Sequence, residues 1–366
     1  MVLAAILLAV GLVVLAIGAD QLVIGAGRVA FARGISPIVI GALVIGFGTS
    51  APEMLVSGLA AADGDTDLGV GNIIGSNVAN LSLVLGMAAL VGVLAAGGRH
   101  IRVANRTLWR EGLISVAAAL LFWVLVLDGF ERWEGLVLLL GFGAAMAFIL
   151  RGSHADAQDN GAASAEVGNI VPQNKPISTP RELGRTVLGL AGVVVGAQLA
   201  VTGALDIATE VGLGSGFVGL SLVAFGTSLP ELITGVQAAR RGEADLLVGN
   251  ILGSNTFNSL LVSAVVALVG PGPLVDANLS GLAVWIMVGV SVGAWILMFE
   301  GDGLERWWEG AMLVAVYVVS LPFLISDPDN QASVQDGITE QQTTIATEVP
   351  IATEVSVVAD IGDGFP

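Results

Sequence analysis

The sequence has no cysteine, two histidines, one tyrosine and a single lysine among 366 residues, and only 12% of its residues are charged. The missing cysteines exclude disulfides and thiolate metal sites. His100 and His154 both lie in polar connecting segments, which removes most zinc and nucleophilic chemistry. Long polar stretches are also scarce. Hydrophobic residues make up 55% of the chain and the mean hydropathy is +0.86, a balance that water-soluble domains of this length do not have.

What is present instead is a succession of apolar runs of the length that crosses about 30 Å of hydrocarbon as a helix. Breaks at charged or Gly/Pro-rich positions predict ten helices, over 2–27, 37–62, 68–93, 107–127, 135–150, 183–205, 216–239, 246–269, 279–299 and 308–325. The fold class expected is an all-α polytopic membrane protein. The first run lacks the basic flank of a signal peptide and reads as the first helix. Residues 151–182, rich in Ala, Asn, Gln, Asp and Pro, read as a linker between a first unit, 1–150, and a second, 183–325. From 326 to 366 the chain is polar and acidic without helical period, the signature of a disordered tail.

Basic residues set the orientation, because they collect on the cytoplasmic side. Arg28, Arg33, Arg99, Arg102, Arg106, Arg110, Arg151, Lys175, Arg181, Arg185, Arg240, Arg241 and Arg306 all fall on one face of the ten-helix arrangement, and only Arg132 on the other. Both termini are therefore expected outside the cell and the linker inside, in the plasma membrane. The opposite loops carry acids, among them Asp63, Asp65, Asp67, Asp128, Glu131, Asp206 and Asp276.

An internal repeat organises the chain. Gly41–Asn80 aligns without a gap on Gly219–Asn258, at a constant offset of 178 residues, with 20 of 40 pairs identical. GFGTSAPE answers to AFGTSLPE, and DLGVGNIIGSNVAN to DLLVGNILGSNTFN. Five helices per half make the two copies enter the membrane from opposite sides, the inverted repeat of secondary transporters, whose site lies between the repeats near the midplane.

Glu53 and Glu231 hold equivalent positions deep in apolar helices. A carboxylate at that depth costs at least a few kcal/mol and persists where it faces a cavity, a partner or an ion. Two such anions converging repel unless one divalent or several monovalent cations stand between them. Thr49 and Ser50 precede Glu53 by four and three positions, as Thr227 and Ser228 precede Glu231, so hydroxyls and carboxylate share a helical face. Pro52 and Pro230 each remove a backbone donor and free carbonyls near Gly48 and Gly226. Asn72, Ser76 and Asn80, and equally Asn250, Ser254 and Asn258, add polar stripes at four-residue spacing, while Gly71, Gly75, Gly249 and Gly253 allow close helix approach. This oxygen-only set suits hard cations such as Ca2+ or Na+. Taken singly, the serines and threonines also suit ordinary interhelical hydrogen bonds, and Asp67 and Asp245 read as helix-end residues.

The paired GTSxPE and GNxxGSNxxN segments resemble the two α-repeats of the calcium/cation antiporter superfamily, in particular its prokaryotic sodium/calcium exchangers. The resemblance covers roughly 1–325. It implies a ten-helix fold with a broken-helix core in which the first and sixth helices slide. It further implies that Glu53 and Glu231 are the principal Ca2+ carboxylates, used by Na+ as well, that Thr49 and Thr227 add backbone and hydroxyl oxygens, and that Gly46 and Ala224 offer carbonyls to outlying Na+ sites together with Ser76 and Ser254. Asn80 and Asn258 would flank the central position. Family members often carry Asp at one of these last two positions, whereas both are Asn here. The functional expectation is Ca2+/Na+ antiport, with Ca2+/H+ antiport as the alternative; a cation channel or an intramembrane enzyme fits the pattern less well. Ca2+, Na+ and the lipid bilayer are the expected partners, with no cofactor, no nucleic acid and no obligate protein partner.

Overall fold

A computed structural model of the chain describes residues 1–33, 46–95, 101–102, 105–156, 178–241, 244–300, 303–304 and 307–324. The first part of the predicted second helix, 37–45, the middle of the linker, 157–177, and the tail, 325–366, lie outside the described residues. Among the described residues the regular structure is helical except for a two-residue antiparallel pair, β1 (Ile101–Arg102) with β2 (Gly303–Leu304), and a single antiparallel bridge between Phe130 and Gly272. Eight helical stretches among the described residues are long and apolar enough to cross a membrane, and two apolar helices, Ala51–Ala62 and Trp307–Ser320, are shorter. Side chains such as Leu3, Ile6, Val13 and Ile17 stand exposed along the first helix, as expected for a surface that meets lipid tails.

The two longest helices, α1 (Val2–Ala32) and α8 (Thr179–Val211), form one tightly packed pair. Glycines make this possible. Gly11, Gly18 and Gly25 recur every seven residues on α1, and Gly189, Gly196 and Gly203 do so on α8. A Cβ at Gly18 would stand 2.6 Å from the backbone nitrogen of Val193, and one at Gly11 2.5 Å from that of Ala200. Backbone therefore meets backbone, the close packing that drives helix association in lipid. The pair is antiparallel. The amino terminus of Met1 bonds Glu210 at one end, and Arg28 reaches Glu182 at 3.2 Å at the other, where Arg185 also holds Glu182 at 3.3 Å.

Behind this pair lie the shorter elements that carry the repeat. In the first half these are α2 (Gly46–Thr49), α3 (Ala51–Ala62) and α4 (Thr66–Ala79), followed by a π-helical turn at Asn80–Val84 and α5 (Leu85–Ala95). The peripheral helices α6 (Asn105–Val126) and α7 (Arg132–Asp156) complete that half. After α8 come α9 (Ser215–Val218), a π turn at Gly219–Val223, α10 (Ala224–Thr227), α11 (Leu229–Arg241) and α12 (Ala244–Phe257). A π turn at Asn258–Val262 leads into α13 (Ser263–Val269), and α14 (Val284–Glu300) and α15 (Trp307–Ser320) follow. The starts of α10, α11, α12 and the π turn at Asn258 each lie 178 residues after those of α2, α3, α4 and the π turn at Asn80. The repeat seen in the letters is thus a repeat of structure, down to the position of each break.

The breaks have a chemical cause. Pro52 and Pro230 sit at the second position of α3 and α11, so the carbonyl four residues before each has no amide to accept from. The chain leaves helical geometry at Ser50 (φ −88°, ψ 2°) and Ser228 (φ −85°, ψ 4°) and resumes at the next residue. Prolines and serines together convert one predicted helix into two short ones that meet at the hydroxyl-bearing residues.

Burial separates core from periphery. All fourteen residues of α4 are buried. In its apolar 18-residue stretch the span containing it, Thr66–Gly92, is 83% buried and that of Leu247–Val269 is 78% buried, against 17% for Arg132–Ile149. Asp65 caps α4, its Oδ1 accepting from the Leu68 amide and the Ser215 hydroxyl, each at 2.8 Å. Asp67, in the first turn of α4, accepts the amides of Val275 and Asp276 at 3.0 and 2.7 Å and so ties the helix start to the segment before α14.

Candidate ion-binding site

Where α2 meets α3 and α10 meets α11, the two halves place their hydroxyls and carboxylates together. Glu53 and Glu231 are both fully buried, at 0% exposure, in a chain with few buried charges. Thr49 shares a hydrogen bond with Ser254 across the halves at 3.3 Å, and the equivalent pair, Thr227 and Ser76, is 3.4 Å apart. Each threonine at a helix break thus reaches the serine on the facing core helix of the other repeat. From there the contacts arrive at the carboxylates: Ser254 donates to Glu231 Oε1 at 3.3 Å, and Ser228 donates to Glu53 Oε1 at 3.5 Å.

The remaining atoms of the site are oriented by their neighbours. Asn72 donates to the Ser57 hydroxyl at 2.9 Å and to the Glu53 carbonyl at 3.4 Å, while its own oxygen accepts from Thr227 at 3.2 Å. Thr227 also lies 3.3 Å from the Ala224 carbonyl. Among the described residues, no protein group completes the second oxygens of Glu53 and Glu231, the Ser50 hydroxyl, the Asn80 oxygen or either end of the Asn258 amide, although all are buried. Buried polar atoms in folded proteins are normally satisfied. A cluster of oxygens left over around two carboxylates is the arrangement a hard, dehydrated cation satisfies.

The residues singled out from the sequence are therefore brought together as a group. Glu53, Glu231, Thr49, Thr227, Ser228, Ser76 and Ser254 are linked by the contacts above. Ser50, Asn80, Asn258 and Ala224 are buried in the same core, and Gly46 is the first residue of α2. Three participants were not singled out: Ser57, Asn77 and Asn255. Asn77 donates to Ser259 at 2.8 Å, and Asn255 donates to the Asn77 carbonyl at 3.0 Å. Their signal was in plain sight, since they are the first Asn of each GSNxxN and are identical at the 178-residue offset.

Membrane-crossing helices around a buried oxygen site with two carboxylates define a membrane protein that handles cations. The sodium/calcium exchanger protein family matches residues 3–151 and 182–326, and the chain belongs to that family. CaxA of Alkalimonas amylolytica, named as an antiporter, is 35% identical over 322 residues, covering 87% of this chain and 97% of the relative. The sodium/calcium exchanger MaX1 of Methanosarcina acetivorans is 28% identical over 349 residues, with coverage of 87% and 97%. A Ca2+/H+ antiporter of Synechocystis is 28% identical over 315 residues, covering 79% and 83%. Among solved structures, the sodium-calcium exchanger NCX_Mj soaked with Na+ and Sr2+ is similar with a TM-score of 0.58 and 29% identity, over 88% of this chain and 98% of that one.

Proposed function

We propose that the chain is a secondary active antiporter that exchanges Ca2+ for Na+ by alternating access at the Glu53–Glu231 site. The observation that carries this reading is the crosswise bonding of the repeats: Thr49 with Ser254, and Thr227 with Ser76, bracketing two fully buried carboxylates. Ten membrane helices in two inverted five-helix units, 1–150 and 183–325, would frame the site. A cytoplasmic linker over 151–182 would join them, with a disordered acidic tail after 326 and both termini outside the plasma membrane.

The chemistry follows from charge. Two carboxylates with the neutral oxygens of Thr49, Thr227, Ser50, Ser228, Asn80 and Asn258 can neutralise one Ca2+, which wants six to eight oxygens at about 2.3–2.6 Å. Na+ has similar tastes and half the charge, so a set of Na+ ions can occupy the same carboxylates, with Ser76, Ser254 and the Gly46 and Ala224 carbonyls serving outlying positions. The two loads exclude each other because they need the same anions. An empty site leaves two anions facing each other away from water, which is costly to occlude, so only loaded forms cross over and the two fluxes are coupled. Packed as one body through their glycines, α1 and α8 are suited to slide as a unit over the core.

Kinship to both sodium/calcium exchangers and a Ca2+/H+ antiporter gives the second reading, in which protons on Glu53 and Glu231 replace Na+. One experiment separates them. Uptake of radioactive Ca2+ into Na+-loaded proteoliposomes, with a pH gradient as the alternative driving force, is compared between the wild type and the Glu53→Gln and Glu231→Gln variants. Uptake that needs internal Na+ and vanishes in both variants is the expected result. Uptake driven by the pH gradient alone moves the assignment to Ca2+/H+ antiport, and uptake unaffected by either variant removes the glutamates from the site.

A further inference from the structure

Asn77 and Asn255 are buried at 1% and 2% exposure, at equivalent positions in the two halves, yet the ion site as described gives neither a task. Their hydrogen bonds differ. Asn255 donates its Nδ2 to the backbone carbonyl of Asn77 at 3.0 Å, and its Oδ1 accepts from Nδ2 of Asn80 at 3.0 Å. Asn77 instead sends its Nδ2 to the Ser259 hydroxyl at 2.8 Å and to the Met287 sulfur at 3.3 Å, and reaches no atom of Asn258.

The direction of this chain is fixed by its first member. A backbone carbonyl can only accept, so the end of Asn255 that faces Asn77 must be the NH2 group. Its other end is then an oxygen, which can only accept, so the end of Asn80 that meets it must also be NH2. That leaves Oδ1 of Asn80, fully buried and without a protein donor among the described residues, as the end presented away from Asn255. Turned the other way, Asn80 would present two N–H groups and repel a cation. Asn258, whose amide has no partner at either end among the described residues, has no such constraint in this arrangement.

We propose that Asn255 is a positioning residue that holds the Asn80 amide with its oxygen toward the transported cation. The inference rests on the reading of Asn80 as an ion ligand. It makes the two halves unequal despite their matching letters: one asparagine ligand is oriented in advance, and its counterpart is free to turn.

The test uses Ca2+ titration of the purified full chain without Na+, followed calorimetrically, with the melting temperature of the ion-free protein as a folding control. Asn255→Ala is expected to weaken Ca2+ binding about tenfold, the scale of one lost buried hydrogen bond. In an Asn80→Asp background both ends of residue 80 are oxygens and orientation no longer matters, so adding Asn255→Ala should leave the affinity of that parent unchanged or higher. The near-isosteric Asn255→Leu fills the same space but cannot accept from Asn80, so it should weaken Ca2+ binding as much as Asn255→Ala, and it serves if the alanine variant does not fold. An equal loss from Asn255→Ala in both backgrounds, or undiminished Ca2+ binding in Asn255→Leu, overturns the proposal in favour of simple packing. Asn80→Ala with undiminished Ca2+ binding would refute instead the underlying reading that Asn80 is a ligand.

Discussion

Ser76 and Ser254 occupy the same place in two identical GSN triplets, yet their removal should not be equivalent. Ser254 bonds Thr49 at 3.3 Å and also donates to the Glu231 carboxylate at 3.3 Å, whereas Ser76 bonds only the neutral Thr227 hydroxyl, at 3.4 Å. A hydrogen bond to a charged group contributes about 1.5–3 kcal/mol, and one between neutral groups about 0.5–1.5 kcal/mol. At these long distances the lower ends apply. Ser254→Ala then makes the ionised Glu231, the form that holds a cation, costlier by about 1.5 kcal/mol, or about 13-fold in affinity, while Ser76→Ala costs about 0.5 kcal/mol, or about twofold. The measurement is Ca2+ binding to the purified protein without Na+, by calorimetry or by the Ca2+-dependent rise in melting temperature, which follows RT ln(1 + [L]/Kd). Equal losses in the two variants, or a greater loss for Ser76→Ala, would refute the reasoning, because serines that act only as equivalent ligands to the ion predict that symmetry.

Three further outcomes follow from the frame around the site. Gly18→Leu places a side chain where even a Cβ would stand 2.6 Å from the Val193 nitrogen; the α1–α8 pair must separate, and the melting temperature should fall by the equivalent of about 1–3 kcal/mol, with Gly143→Leu, where a Cβ meets nothing within 4 Å, as the silent control. Glu182→Gln leaves Arg28 and Arg185 without their shared carboxylate; with both guanidinium groups partly in contact with water, the loss should be about 1–2 kcal/mol, below the range for a fully buried pair, and Glu182→Asp should recover part of it in thermal melts. Burial raises the carboxyl of Asp65 above its ordinary value of 3.8. The native state then keeps a proton that the unfolded chain releases, so this stability is full below about pH 3.8 and is lost as pH rises through the native value. Asp65→Asn, which still accepts from Leu68 and Ser215 through its amide oxygen, should flatten the melting-temperature curve above that pH; a curve as steep as the wild type would show that Asp65 is not its source.

Much of this was legible in the letters, for identifiable reasons. Apolar runs as long as a bilayer is thick leave little freedom, and the described helices begin and end within several residues of those predicted, apart from the second, whose predicted start lies outside the described residues; α1 runs on to Ala32 and α8 extends from Thr179 to Val211. Pro52 and Pro230 announced the helix breaks because a missing amide is a covalent fact. The glutamates stood out because a carboxylate in an apolar helix is expensive enough to need a reason. Less visible were the π turns at Asn80 and Asn258, since one extra residue in a helical turn leaves no mark on hydropathy. The seven-residue spacing of glycines on α1 and α8 was present but says only that something comes close; which helix does so is decided by the tertiary fold.

A repeat of near-identical letters cannot say which half does what, and here the halves do different things. Among the described residues, Ser228 bonds Glu53 but its equivalent Ser50 has no partner, and Asn255 holds Asn80 but Asn77 does not hold Asn258. Where the side chains are the same in both halves, an arrangement with these roles exchanged can keep its hydrogen bonds; where they differ it cannot, as at Ser259, which accepts from Asn77 and is answered by Leu81. Two states of similar energy, related by exchanging the roles of the halves, are what an alternating-access transporter requires, since a carrier strongly biased to one state would stall there. The balance is set where the letters differ. Asn72 bonds the Ser57 hydroxyl at 2.9 Å, while the position equivalent to Ser57 is Gly235, so the second half cannot form that bond. Identity between the repeats keeps part of this network open to exchange, and differences such as Ser57 against Gly235 make the two arrangements unequal.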